Sequence, residues 1–299
     1  MLANNNNNKK EYRMMIILKR LVLVIMFFFT FANAQAEAKK FNMVFVPASE
    51  KGDESDYTSL ISIVEKLTGF EINTVKVTDY NAAVEAMRAG RADIAWYGGK
   101  TYIIAAEIAN AEAFAAGVRP GEKNASYFTY FVVKKDNQIK NFSDVKGKTL
   151  ALNTIGSTSG DLIPQVELSK ISLLTTNKDD FKNVFYAGSH DACLLSVLNN
   201  QADVCGMSSR NFDARLTDGT FKIDQVRIIH RSDPVPPPPL AYSKKISLED
   251  RKKIKKAVLE AHKHGAIGGY GGKMSHYIEV KDSDYDLLRD VVALLESKQ

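Results

Sequence analysis

Cysteine, tryptophan and histidine are scarce in this chain: two, one and five among 299 residues. Two cysteines cannot staple a small secreted scaffold, which needs several bridges. Together with five scattered histidines they form no zinc-ligand spacing, so no metal or other cofactor is expected. Proline and glycine number only 8 and 18, which excludes a collagen or a low-complexity chain. The longest uncharged apolar run, residues 21–31, is eleven residues long, whereas a membrane-spanning helix needs about 20. Excess charge is also missing from the body of the chain. Five of the 40 cations and one of the 35 anions fall in residues 1–34, so the other 265 residues hold 35 cations against 34 anions. So neutral a body carries no general footprint for a polyanion, and nucleic acid is not an expected partner. Any anion it binds has to be held by a local site.

What is present begins with a leader. A basic stretch ends at Lys19 and Arg20, the apolar run follows, and Ala32-Asn33-Ala34 supplies small residues before Gln35. That is the three-part pattern of a secretory signal, so residues 1–34 are expected to be removed and the protein to reach the periplasm. Cys193 and Cys205 read most simply as two small buried hydrophobes. An oxidising compartment would also permit them to pair.

The mature part, 45% hydrophobic overall, reads as an α/β chain. Residues 41–46 form an apolar strand, and Tyr57, Leu60, Ile61, Val64 and Leu67 recur at helical spacing up to Gly69. A strand over 71–77, a helix capped by Asp79 and ended at Gly90, and a strand over 93–97 continue the rhythm. Such β-α-β-α-β order predicts a parallel sheet covered by helices. A polar turn at 119–124 breaks the rhythm, and a second series starts with a strand over 127–134. Strands are predicted at 149–152, 183–187, 203–207 and 226–230, with helices from Ser159 and from His190 to Asn199. Residues 234–239 are a proline-rich connector. Two amphipathic helices close the chain, one started by Ser247 with Asp250 and the other by Ser283 with Asp286. The glycine-rich stretch 265–272 reads as a flexible connector, and the basic run 252–256 as a solvated helix face.

The most informative segment is Asn153-Thr154-Ile155-Gly156-Ser157-Thr158-Ser159-Gly160, between a strand and a helix. Three successive hydroxyls stand beside the unpaired N–H groups of a helix start, where negative charge is favoured. Such a loop can ring a tetrahedral oxyanion without lysine or arginine, or it can supply one helix cap. A serine nucleophile fits poorly: Thr158 stands at the centre of what would be G-x-S-x-G, and S-x-x-K is missing. No enzymatic activity is expected. Gly188-Ser189-His190-Asp191 lies at another strand-to-helix step. His190 can donate to an oxyanion or serve as a core histidine, and Asp191 can accept a proton from a ligand hydroxyl or sit on the helix dipole. Tyr57, Tyr80, Trp96, Tyr97 and Tyr127 cluster near strand ends, where aromatics are core more often than ligand wall.

The leader, Thr78-Asp79-Tyr80, Ala95-Trp96-Tyr97-Gly98, Ser157-Thr158-Ser159-Gly160 and Gly188-Ser189-His190-Asp191 occur in the order found in one family. Over roughly residues 40 to 245 the chain resembles the phosphonate-, phosphite- and phosphate-binding proteins of ABC importers. The resemblance implies a two-lobed type 2 periplasmic binding protein fold, each lobe a mixed sheet flanked by helices, joined by two hinge strands. Residues 35–126 with 232–299 would form one lobe and 127–231 the other. It further implies a monomer that delivers a small phosphorus oxyanion to an inner-membrane ABC permease, or a sensor of the same fold feeding a receptor kinase. Carried over residue by residue, Ser157, Thr158 and Ser159 would hold the oxyanion. Tyr80 and Tyr127 would donate from the opposite lobe and hinge, and His190 with Asp191 would complete the ring. Family members that take aminoalkylphosphonates hold the ammonium with acidic side chains, and spacing places Arg210 and Pro238 at those positions. That departure implies a ligand without an amine: phosphite, phosphate or a short alkylphosphonate.

Overall fold

The computed structural model describes residues 38–49 and 54–297, together with Met14, Met15 and Lys19. Apart from those three positions, the leader read in residues 1–34 lies outside the described residues. The chain runs through β1 (Lys40–Phe45), α1 (Glu54–Thr68), β2 (Glu71–Val75), α2 (Tyr80–Arg88), β3 (Ile94–Trp96), α3 (Gly99–Ile108) and β4 (Ala111–Val118). It continues as β5 (Thr129–Lys134), β6 (Thr149–Leu152), α4 (Ile163–Lys170), β7 (Asn183–Tyr186), α5 (His190–Leu198), β8 (Val204–Ser208), α6 (Ser209–Thr217) and β9 (Val226–Arg231). The last elements are β10 (Leu240–Ser243), α7 (Leu248–Glu260), β11 (Ile267–Gly269), β12 (Gly272–Met274), β13 (His276–Glu279) and α8 (Asp286–Glu296).

These strands build two mixed sheets. The first has the order β13-β4-β10-β3-β1-β2 and the second β7-β6-β8-β5-β9. In the first, β1 pairs parallel with β2 and β3, while β10 lies antiparallel between β3 and β4. In the second, β6 is parallel to β7 and β8, and β5 is antiparallel to β8 and β9. Mixed sheets flanked by helices are what the type 2 binding fold requires. The chain passes from the first sheet to the second after β4 and returns after β9. The two crossings lie side by side: Tyr127 N–H donates to Val235 O at 3.3 Å and Val235 N–H returns a bond to Tyr127 O at 2.8 Å.

The cores follow from the burial of the strands. One surrounds the first sheet around Val44, Ala95, Trp96, Phe114 and Ala241, all at or below 1% exposure. The second sheet is packed on both faces, by Leu150, Phe131 and Val204 on one and by Val132, Leu194 and Met207 on the other. Cys193 and Cys205 are buried as read, but they are also joined: a disulfide ties α5 to β8 with the Cα atoms 5.6 Å apart. Sequence could not supply that distance, which is the condition a bridge must meet.

Caps place the helices largely where the sequence put them. Asp79 accepts from Ala82 N–H at 2.8 Å, Ser189 from Ala192 N–H at 3.0 Å, and Ser247 from Asp250 N–H at 3.1 Å. One gap is filled and two readings are corrected. α3 and β4 fill residues 99–118, for which the sequence offered no pattern, because alanine-rich segments buried on both sides lose their periodicity. The last helix starts at Asp286 after a tight turn over Asp282–Tyr285. There Asp284, not Asp286, takes the reciprocal bond, from Lys281 N–H at 2.8 Å. The glycine stretch is a hairpin, β11 against β12. It packs so tightly on α1 that a Cβ at Gly268 would lie 2.1 Å from Asp56 O.

Candidate functional site

β6 ends in the core at Leu152, and the buried Asn153 fixes the loop behind it, its N–H donating to Gly160 O at 2.8 Å. Gly156, at φ 96°, makes the reversal that a side chain would oppose. The helix expected from Ser159 begins as a widened turn over Thr158–Leu162 and becomes regular at Ile163. Ser157, Thr158 and Ser159 are all buried, at 1–2% exposure. Ser157 Oγ accepts from Gly160 N–H at 3.1 Å and from Asn153 Nδ2 at 3.3 Å. Thr158 Oγ1 accepts at 2.9 Å from the N–H of Lys100, in the first turn of α3. α3 has no side-chain cap of its own. The Ser157 and Thr158 oxygens therefore spend lone pairs on protein donors.

These three side chains, with Tyr80, Trp96, Tyr127, His190, Pro238, Tyr270, Ala48 and Gly98, line one cavity. It has about 10 Å³ in which the centre of a water-sized sphere can sit, roughly the room of one water molecule. No Asp, Glu, Lys or Arg is among the described residues that line it. A larger cleft, about 760 Å³ by the same measure, lies beside α3 and α8. Its lining charges include the paired Arg289, Asp282 and Asp286, and the hydroxyl loop does not reach it.

His190 opens α5, and its ring is fully buried. Burial holds its pKa down to about 3 from an ordinary 6.5, so the imidazole is neutral. Ser208 N–H donates to Nδ1 at 3.3 Å. The ring proton must then sit on Nε2, which makes His190 a donor. The Tyr127 phenol is pushed above its ordinary value by burial, while hydrogen bonds from Ser159 and Thr158 and the nearby Arg210 charge pull it back. Asp161 braces the loop from behind. Its buried carboxylate accepts from Gln165 Nε2 at 2.6 Å, Tyr186 Oη at 2.9 Å, Gly156 N–H at 3.2 Å and Lys100 Nζ at 2.7 Å. The last bond and the one from Thr101 Oγ1 to Gly156 O, at 3.0 Å, tie α3 to the loop after β6.

Six of the seven residues proposed from sequence meet on this cavity: Tyr80, Tyr127, Ser157, Thr158, Ser159 and His190. Asp191 does not. Successive helical residues point about 100° apart, so with His190 on the cavity Asp191 turns toward α6. There its carboxylate accepts from Arg215 Nε at 2.8 Å. Of the two positions assigned by spacing, Pro238 lines the wall and Arg210 does not. The Arg210 guanidinium donates to Ala125 O at 2.8 Å, Gly117 O at 3.2 Å and Glu122 Oε2 at 3.1 Å, and its carbon lies 5.9 Å from the Tyr127 ring. Two carboxylates that could otherwise take a ligand amine, Asp213 and Asp233, pair with Arg119 and Lys170. The wall also includes side chains that sequence reasoning did not propose, Tyr270 and Trp96 among them. Tyr270 sits with Gly271 at the turn of the β11–β12 hairpin, in the segment read as a connector, and a tight turn at Gly271-Gly272 was the available signal. Trp96 was weighed as core more than as ligand wall. Its ring lies 4.8 Å from that of Tyr270 and 5.8 Å from that of Tyr57, and its indole N–H is buried with no partner among the described residues.

The family model described as "ABC transporter, phosphonate, periplasmic substrate-binding protein" matches residues 43–285. The "Phosphonates-binding periplasmic protein" of Escherichia coli (strain K12) is 28% identical over 228 residues, 75% of this chain and 66% of that protein, a little under two thirds of its length. The "Phosphate-import protein PhnD" of Mycolicibacterium smegmatis is 25% identical over 285 residues, 89% of each chain. Among solved structures, PhnD1 from Prochlorococcus marinus (MIT 9301) in complex with methylphosphonate superposes with a TM-score of 0.73. It is 19% identical, over 86% of this chain and 98% of that one.

Proposed function

The chain belongs to the periplasmic substrate-binding proteins of phosphonate ABC transporters, and from that premise we propose that it captures a small phosphorus oxyanion without an amine. Phosphite, phosphate and short alkylphosphonates form this class, and the protein hands its ligand to an inner-membrane ABC permease. The observation that carries the reading is convergence: the hydroxyl loop, His190 and two tyrosines meet on one small cavity with no charged side chain among its described lining residues. Association costs about 4–15 kcal/mol of lost freedom, and each hydrogen bond to a charged group returns about 1.5–3 kcal/mol. Four to six converging donors are thus needed, and Tyr80, Tyr127, Ser157, Thr158, Ser159 and His190 supply that number. Asp191 is withdrawn from the contact set, because its carboxylate serves Arg215.

We read residues 35–126 with 232–299 as one lobe, 127–231 as the other, and 1–34 as a removed leader. The paired crossings at Tyr127 and Val235 are where such lobes would bend. A transport component of this kind needs capture and release, not turnover. An aminoalkylphosphonate would bring an ammonium into the cavity, and a buried unpaired charge costs several kcal/mol. Titration calorimetry at neutral pH with phosphite, methylphosphonate, phosphate and 2-aminoethylphosphonate tests the reading. At least one of the first three is expected to bind far tighter than the amino compound. Equal or tighter binding of the amino compound refutes the exclusion of amines, and no binding by any of the four refutes the ligand class.

A further inference from the structure

Resting on the two-lobe reading above, we propose that α6 and the turn after β4 form an electrostatic clasp. Two ion pairs of opposite polarity hold the lobes together there and set ligand affinity without touching the ligand. The turn over residues 119–124, which breaks the strand–helix rhythm of the sequence, belongs to one lobe and α6 to the other. Residues three apart on a helix share a face, and that face of α6 carries Arg210 and Asp213. The turn carries Arg119 and Glu122, and the charges match crosswise. Arg210 donates to Glu122 Oε2 at 3.1 Å, and Arg119 donates to Asp213 Oδ2 at 3.1 Å. Glu122 Oε2 also accepts from the Arg119 N–H at 3.1 Å, and the Glu122 N–H donates to Arg119 O at 3.1 Å. The turn therefore presents its two charges in a fixed order.

Burial makes one half of the clasp stiff. Arg210 is 2% exposed, and besides Glu122 its guanidinium donates to Gly117 O and Ala125 O. All three acceptors lie in residues 117–125, across the lobe boundary. A buried guanidinium stripped of its acceptors is strongly disfavoured, so the lobes part only if water replaces all three. The other half is more open, with the Asp213 side chain 43% exposed. The hairpin grips the same turn of α6 from the first lobe. Tyr270 Oη donates to Asn211 Oδ1, and a Cβ on Gly271 would stand 3.0 Å from Arg210 Cβ. Arg119, Glu122, Arg210, Asn211 and Asp213 are not among the residues that line the cavity; Tyr270 is. The clasp therefore acts on the ligand through the population of closed lobes. Where only the closed form binds, the apparent dissociation constant is the intrinsic one divided by the closed fraction.

Charge reversal separates a clasp from long-range attraction, because the two predict different signs. If net charge alone acted on an anionic probe, Arg119→Glu would weaken binding and Asp213→Arg would strengthen it. The clasp predicts that both weaken it, each about three- to tenfold. The double variant restores a pair in the opposite sense and should bind more tightly than either single one. Calorimetry with phosphite and methylphosphonate measures this, beside thermal unfolding of the same samples. Glu122→Gln keeps an oxygen for the Arg119 N–H but loses the charge; it should weaken binding in the same direction and serves if a reversal fails to fold. Small-angle scattering without added probe reads the lobes directly. Each single reversal should enlarge the radius of gyration, and the double variant should reduce it again. Opposite signs for the two reversals, losses that simply add in the double variant, or unchanged affinity or scattering in folded single variants would each overturn the proposal. Should the parent bind neither probe, the ligand class fails instead, and the scattering series still decides the clasp.

Discussion

Thr158→Val removes one hydroxyl from the cavity while keeping a β-branched side chain of nearly the same shape. The bond to a ligand and the bond from Lys100 N–H act on different observables, and the contact of Thr158 with the Tyr127 phenol is lost with them. The proton that Thr158 would give an anionic ligand contributes about 1.5–3 kcal/mol as a bond to a charged group, so affinity should fall about 10- to 150-fold. The Lys100 N–H loses its acceptor at 2.9 Å, and a buried donor left unpaired costs about 1–3 kcal/mol of stability. Thr158→Ser restores the oxygen and should recover most of both. Ser157→Ala is a harsher change, because that oxygen also caps the turn through Gly160 N–H and holds Asn153. It should add about 0.5–2 kcal/mol of destabilisation to the loss of a ligand donor. Calorimetry with phosphite or methylphosphonate, beside thermal unfolding of the same samples, separates the two effects. A Thr158→Val protein whose dissociation constant stays within about twofold of the parent, with its fold intact, would refute the assignment of this loop to the ligand.

Two further consequences follow from the buried groups. Since His190 is held neutral by burial, with a folded pKa of about 3 against an ordinary 6.5, the unfolded chain takes up its proton first. Stability should therefore be unaffected by this group above about pH 6.5 and fall by about 1.4 kcal/mol per pH unit from there toward pH 3. The difference between parent and His190→Gln unfolding curves should shrink along that interval, and parallel curves across it would refute the assignment. The Cys193–Cys205 bridge closes a short loop within the second sheet's core, over a sequence separation of 12. Replacing both with alanine should cost about 2–5 kcal/mol and make the melting temperature insensitive to reductant; an unchanged melting temperature would refute a stabilising role.

Much was determined by the sequence alone. The alternation of apolar runs with helical periodicity laid out β1 to β3 and β5 to β9, because those elements are long enough or well enough capped to carry their period locally. Asp79 and Ser247 marked two helix starts for a local reason too: a short oxygen side chain meets a backbone N–H three residues on. The hydroxyl loop and the histidine step were likewise legible, since both sit where a strand hands over to a helix. What the tertiary structure decided is everything that depends on direction and on distance across the chain. Asp191 adjoins His190 in sequence and yet faces Arg215, because one helical step rotates it off the cavity. The polarity of Ser157, Thr158 and His190 is set by N–H groups that include those of Lys100 and Ser208, 58 and 18 residues away. Trp96 and Tyr270 reach the same wall from segments that share no pattern, and only the packing of a hairpin against α1 brings them together.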